Sequence, residues 1–230
     1  MITKHQLYGV YVEPLSKGRM RWYTKNLVPG KQVYGEKLVK QGKDEFREGD
    51  IRRSKLAASL AKGVSQLGIK PGSKVLYLGC ASGTTASHVA DIIGHENAQG
   101  FLFGLDFAPR VLREFVHLCE DRKNMTAILG DAKHPETYAH KVLAVDAVVQ
   151  DVAQRDQVTI FLKNCERFLK HEGFGLLVVK AGSIAVEKHP REIFRQVKNE
   201  LEQSGKLSIV DYRELEPFEK DHCIFVCKWK

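Results

Sequence analysis

Apolar and polar positions change their rhythm near Ser54. Up to about residue 50, "LYGVYVE", "RMRWYTKNL" and "KQVYGEKLVK" place β-branched and aromatic residues in partial alternation, broken by "VPGK" and "QGKD". That pattern predicts short strands joined by polar turns. From Ser54 the period lengthens. Leu56, Leu60, Val64 and Leu67 form a helical stripe, with Ser54 as its N-cap and "IKPGSK" as its end. From Lys74 onward short apolar runs alternate with amphipathic stretches. "KVLYLG", "GFLFGLD", "MTAILGD", "VDAVVQD" and "GFGLLVVKAG" read as strands. "TASHVADII", "PRVLREFVHLCEDR", "RDQVTIFLKNCERFLK" and "PREIFRQVKNELEQSG" read as helices, two of them opened by Pro. "KLSIVDYREL" and "HCIFVCKWK" follow without a helix between them, which predicts a terminal hairpin.

Strand–helix alternation with continuously apolar strands predicts an α/β fold built on a doubly wound, mostly parallel sheet. The predicted organisation is a small basic β-rich domain over residues 1–53 and an α/β domain over 54–230. A hydrophobic content of 43% is enough for a real core and argues against a disordered chain. The five cysteines lack the paired spacing of a zinc site. They fit free thiols in a reducing compartment. No signal-peptide pattern and no apolar run of bilayer length is visible, so the expectation is a cytoplasmic protein without a membrane partner.

Charge is distributed unevenly. Of a net +8, nearly all comes from residues 1–55, which hold thirteen Lys and Arg against six Asp and Glu. Such a surface attracts a polyanion, RNA above all; a solvated lysine-rich face is the other reading.

In open α/β sheets ligands bind beyond the C-terminal strand ends. Here those ends carry "GCASGTT" from Gly79 to Thr85, then Asp106, Gly130–Asp131, Asp151 and Lys180. Gly79 and Gly83 permit close backbone approach to a ligand, and the next helix offers its N–H groups. Tight packing also calls for small residues, and the spacing is not GxGxxG. Asp106 lies where a carboxylate meets ribose hydroxyls. Together, carboxylates at three successive strand ends favour an adenosine-type pocket over solvent-facing turns. Lys180, beside a carboxylate such as Asp151, has two readings: a base for a hydroxyl proton or a side chain snorkelling to water.

"YLGCASGTTASHVAD", "LDFAPR", "LGDA", "QDVAQ" and "EPFEKDHCIFV", in this order, with "KQVYGEKLV" and "RRSKLAA" upstream, resemble fibrillarin of the short archaeal type over essentially the whole chain. The resemblance implies a Rossmann-like S-adenosylmethionine-dependent methyltransferase fold and RNA ribose 2′-O-methylation of rRNA and tRNA. It also implies box C/D particles with a guide RNA, a Nop-domain scaffold protein and a kink-turn-binding protein of ribosomal type. Carried over by motif, the cofactor pocket takes Gly79, Ala81, Gly83, Thr84, Thr85, Asp106, Phe107, Asp131, Ala132, Asp151, Val152, Ala153 and Gln154. The catalytic set is Lys55, Asp151, Lys180 and His222, with no metal. Cys80 stands where Ala is usual. Asp106 stands where Glu is usual, which shortens the ribose contact by one methylene. A protein side chain such as a glutamine amide as acceptor, and a non-catalytic RNA-binding scaffold subunit, are the competing readings. The basic N-terminal unit has two candidate contacts, RNA and the scaffold protein.

Overall fold

The computed structural model describes residues 1–230, apart from the side chain of Asn97. The first segment forms β1 (Thr3–Lys4), β2 (Val10–Pro14), β3 (Met20–Lys25), β4 (Leu38–Gln41) and β5 (Asp44–Gly49). These make an antiparallel sheet in the order β1-β2-β3-β5-β4. The period-2 pattern sorts its side chains. Val10, Val12 and Trp22 join the main core, while Ile2, Tyr11, Tyr23 and Phe46 form a small core of their own on the other face. The Gln41 side chain exchanges hydrogen bonds with the backbone N–H and C=O of Ile2, at 2.9 and 2.8 Å. It thereby ties together the two edges that would otherwise offer unpaired backbone.

The remainder forms α1 (Lys55–Ala61), β6 (Lys74–Leu78), α2 (Thr84–Ile93), β7 (Phe101–Asp106), α3 (Pro109–Asp121), β8 (Met125–Leu129), β9 (Val145–Gln150), α4 (Gln157–Phe168), β10 (Leu169–Lys180), the short α5 (Ala181–Ile184), α6 (Pro190–Gln203), β11 (Leu207–Glu214) and β12 (His222–Trp229). Its seven strands run β11-β12-β10-β9-β6-β7-β8. From β10 to β8 they are parallel, while β12 is antiparallel to both its neighbours. The terminal hairpin is present, with β12 inserted between β10 and β11. Both faces of the sheet are covered. Val75 and Tyr77 of β6 pack toward α1, α2 and α3, whereas Leu76 and Leu78 pack toward α4 and α6. This double burial is why these strands read as continuous apolar runs. All five cysteines are free thiols.

One element departs from its expected length. α1 ends at Ala61 instead of continuing to Leu67. The N-cap is as expected, with Ser54 Oγ accepting from Ala57 N–H. Gly63 takes a left-handed φ of 72° and donates to Leu60 O, which turns the chain out of the helix. Val64 and Leu67 remain buried beyond it, so the apolar stripe survives while the helix does not.

The two sheets meet through a buried polar seam along α2. Arg47 of β5 donates to Glu36, to Asp91 and to Ser87 Oγ, at 2.6, 2.7 and 2.9 Å. Arg122 reaches the other oxygen of Asp91 at 2.5 Å. Both arginines and both carboxylates are essentially solvent-free. Thr24 Oγ1 donates to Asp91 (2.8 Å), so it accepts from His88 Nδ1–H (2.8 Å), and His88 Nε2 accepts from the Tyr34 hydroxyl (2.6 Å). The seam also reaches the start of α2, because the Ser87 hydroxyl donates to Thr84 O at 3.0 Å.

Candidate active site

β6 ends at Leu78, and the chain must turn sharply before α2. Gly79 adopts φ 79°, and a Cβ there would stand 2.2 Å from the Asp151 carbonyl oxygen. Only glycine permits this approach of two adjacent parallel strand ends. Ala81 follows with φ 47°, an uncommon conformation for a residue with a side chain. Its N–H is thereby delivered to Asp106 Oδ2 at 3.0 Å, while Asp106 Oδ1 accepts from Ala108 N–H at 2.9 Å. The β7 carboxylate thus pins both the β6 turn and its own loop, which fixes the floor of a cavity.

That cavity has a volume of about 350 Å³. Gly79, Ala81, Asp106, Phe107, Ala132, Asp151, Val152, Ala153 and Gln154 line it, all of them residues expected from the sequence, together with Leu105 and Gly130. Phe107 is 66% exposed, an apolar ring left open at the cavity. Thr84, Thr85, Gly83 and Asp131 lie outside its wall. Gly83 serves helix packing. At φ 94° it caps α2, and a Cβ would meet Leu118 and Phe115 of α3 at 2.6 and 2.8 Å. Thr85 Oγ1 accepts from the Lys55 N–H at 3.2 Å, so it joins the start of α2 to the start of α1. The Asp131 carboxylate accepts from Lys133 N–H in its own turn.

Beside the cavity, charged groups from four elements converge on Asp151. Its N–H bonds to Leu78 O at 2.9 Å, which places it at the end of β9 against β6. Burial raises the Asp151 carboxyl above its ordinary value; Lys55, His222 and Lys180 pull the other way, and Glu219 adds to the rise. Lys180 and His222 sit opposite each other where β10 pairs with β12. The Lys180 backbone is clamped on both sides by the Gln157 amide, at 3.3 Å each, and Gln157 O accepts from Gln150 Nε2 at 2.8 Å. Both glutamines are fully buried, so the backbone from which the exposed Lys180 side chain projects is fixed. His222 Nδ1–H donates to Lys220 O, which leaves Nε2 as the free acceptor. Lys55 Nζ lies 3.1 Å from Glu219 Oε1.

Lys55, Lys180 and His222 are therefore brought together around the partly buried Asp151, the fourth residue expected to do chemistry. Sequence reasoning did not reach Glu219. It lies in the connection between β11 and β12, and no periodicity or spacing in "EPFEKDH" marks it. Gln150 and Gln157 were missed as well, although a polar residue within an otherwise apolar strand end was a visible signal for the first.

A family model described as fibrillarin matches residues 2–230. The fibrillarin-like rRNA/tRNA 2′-O-methyltransferase of Pyrococcus abyssi is 48% identical over 227 residues, covering 99% of this chain and 98% of the relative. Among solved structures, Aeropyrum pernix fibrillarin in complex with natively bound S-adenosyl-L-methionine matches with TM-score 0.88 and 44% identity, over 99% of this chain and 97% of that one. A fibrillarin/Nop5p complex matches with TM-score 0.84 and 35% identity, over 99% and 100%. The α/β architecture and the motifs read from the sequence agree with these matches, which run nearly end to end: the chain belongs to the fibrillarin family.

Proposed function

We propose that this protein is an S-adenosylmethionine-dependent RNA ribose 2′-O-methyltransferase, the catalytic subunit of a box C/D guide particle acting on rRNA and tRNA. The observation that carries this reading is the placement of Lys55, Lys180 and His222 about the partly buried Asp151 at the rim of the strand-end cavity. The cavity suits the cofactor. Its Gly79 floor is open where any Cβ would collide, its wall holds the Asp106 carboxylate, and Phe107 offers an apolar face. Gly79, Ala81, Asp106, Phe107 and the run Asp151 to Gln154 are the residues that would hold it. When bound, the cofactor supplies an electrophilic methyl on a sulfonium.

The protein must then align a ribose hydroxyl and manage its proton. Alignment alone supplies much of the rate. A positioned base adds roughly 10²–10⁴-fold. Lys180 holds or accepts the hydroxyl proton, and Asp151 orients it. Lys55 and His222, with its free Nε2, position the ribose or its phosphate. A carboxylate–lysine pair suits a hydroxyl acceptor better than an amide.

The basic N-terminal unit supports an RNA substrate. Arg47 is taken up by the buried seam, and Lys4, Arg21, Lys25 and Lys31 pair with carboxylates. Lys17, Arg19, Lys37, Lys40, Lys43, Arg52 and Arg53 face solvent. No RNP-type aromatic motif or tandem zinc module reads bases here, which fits selection of the target by a guide RNA. A Nop-domain partner is supported by the match to the fibrillarin/Nop5p complex. The guide RNA and the kink-turn-binding protein complete the proposed particle.

Replacing Lys180 by Ala tests the role assignment. Methyl transfer should fall by about 10²-fold or more, while calorimetric cofactor affinity stays near wild type. Equal loss of both would remove Lys180 from the chemistry.

A further inference from the structure

Glu219 occupies a place at the active site that none of the expected residues fills. Its side chain is 13% exposed and that of Lys55 18%, so the 3.1 Å pair between them sits largely out of water. Glu219 Oε1 makes no hydrogen bond of good geometry among the described residues; the ammonium reaches it by distance and not by angle. A buried carboxylate oxygen left this way is costly and calls for a reason. The loop holds it there firmly. Phe218 and Glu219 donate their N–H groups to Leu215 O at 3.0 and 3.2 Å, and Phe218 packs on the main core.

We propose that Glu219 is a positioning residue for methyl transfer: it holds the Lys55 ammonium at the mouth of the site and sets the charge balance around Asp151. This rests on the methyltransferase reading above. The groups facing Asp151 are Lys55 from α1, Tyr77 from β6, Lys180 from β10, Glu219 from the β11–β12 connection and His222 from β12. Three of them are basic, and Glu219 is the second carboxylate of the cluster. Without it, Lys55 loses its anchor, and the excess of positive charge about Asp151 grows by one. A like charge nearby disfavours the ionised form of a carboxyl, so removing Glu219 lowers the point at which Asp151 ionises.

The test is methyl transfer from labelled S-adenosylmethionine to a guide-matched RNA in the assembled particle. Wild type, Glu219→Gln and Glu219→Asp are compared across pH, with thermal melting and cofactor affinity measured alongside. Glu219→Gln keeps the shape and removes the charge. It should lower kcat on the order of tenfold, leave KM for the cofactor unchanged and move the acid limb of the rate profile to lower pH. Glu219→Asp, which keeps the charge, should leave that limb in place. An active wild type beside a Glu219→Gln variant with the same kcat and the same limb overturns the inference alone. So does a loss of melting temperature shared by both variants while neither limb moves. A wild-type particle that transfers no methyl to the RNA overturns the methyltransferase reading and this inference with it.

Discussion

His88 makes the seam between the two sheets sensitive to acid. The ring is buried on α2, hydrogen-bonded on both nitrogens, and close to the Arg47 guanidinium. Burial, and after it the positive charge of Arg47, brings its pKa from 6.5 down to about 3. In the folded protein it stays neutral, whereas in the unfolded chain it takes up a proton below its ordinary value. The unfolded state then binds more protons, so folding stability falls as pH falls through 6.5, and the loss continues until the folded-state value near 3. Between pH 7 and pH 5 this amounts to about 2 kcal/mol, since each unit of pH below the unfolded value contributes about 1.4 kcal/mol. The interval stays above the ordinary range of Asp91 and Glu36, whose carboxyls are held low by the arginines. His5 and His95 are also lowered by burial, but they remain in any His88 variant and cancel in the comparison. The assay is urea unfolding of wild type and His88→Gln at both pH values. Wild type should lose about 2 kcal/mol more than the variant over that interval. Parallel losses would refute the reasoning, and with it the description of the seam as solvent-free.

Two further substitutions test the active-site floor and the Asp151 carboxylate. Gly79→Ala should lower both melting temperature and calorimetric cofactor affinity, because its Cβ would collide with the Asp151 carbonyl at 2.2 Å; unchanged affinity would show that the floor yields. Asp151→Asn should abolish methyl transfer and melt at or above the wild-type temperature at pH 7. Burial raises this carboxyl, so ionising it at neutral pH works against folding, and a neutral isostere removes that cost. A variant that melts well below wild type would show that Asp151 is retained for stability.

The strand ends were legible in the sequence because a fully buried parallel strand writes itself as an apolar run, and the first polar residue after it marks the ligand side of the sheet. Asp106, Asp151 and Lys180 were read as strand-end residues in this way, and the structure places them there. The end of α1 was not, because Val64 and Leu67 keep helical spacing while burying themselves from a turned chain. At Gly83 the sequence alone did not show the packing on α3, because the need for closeness to α3 and the need for closeness to a ligand select the same residue. Contacts between distant positions left no local trace. Arg47 meets Asp91, and Lys55 meets Glu219, only after the sheets and the terminal hairpin have formed. The concentration of positive charge near the N-terminus was visible, but not that one of its arginines is buried in the seam.

The most direct test of the account is methyl transfer in a reconstituted guide particle, with a guide-matched RNA compared against the same RNA carrying a 2′-deoxy target nucleotide. The account predicts transfer to the first and none to the second. Equal labelling of both, or labelling of protein in place of RNA, in a particle shown to be assembled and to bind cofactor, would contradict it.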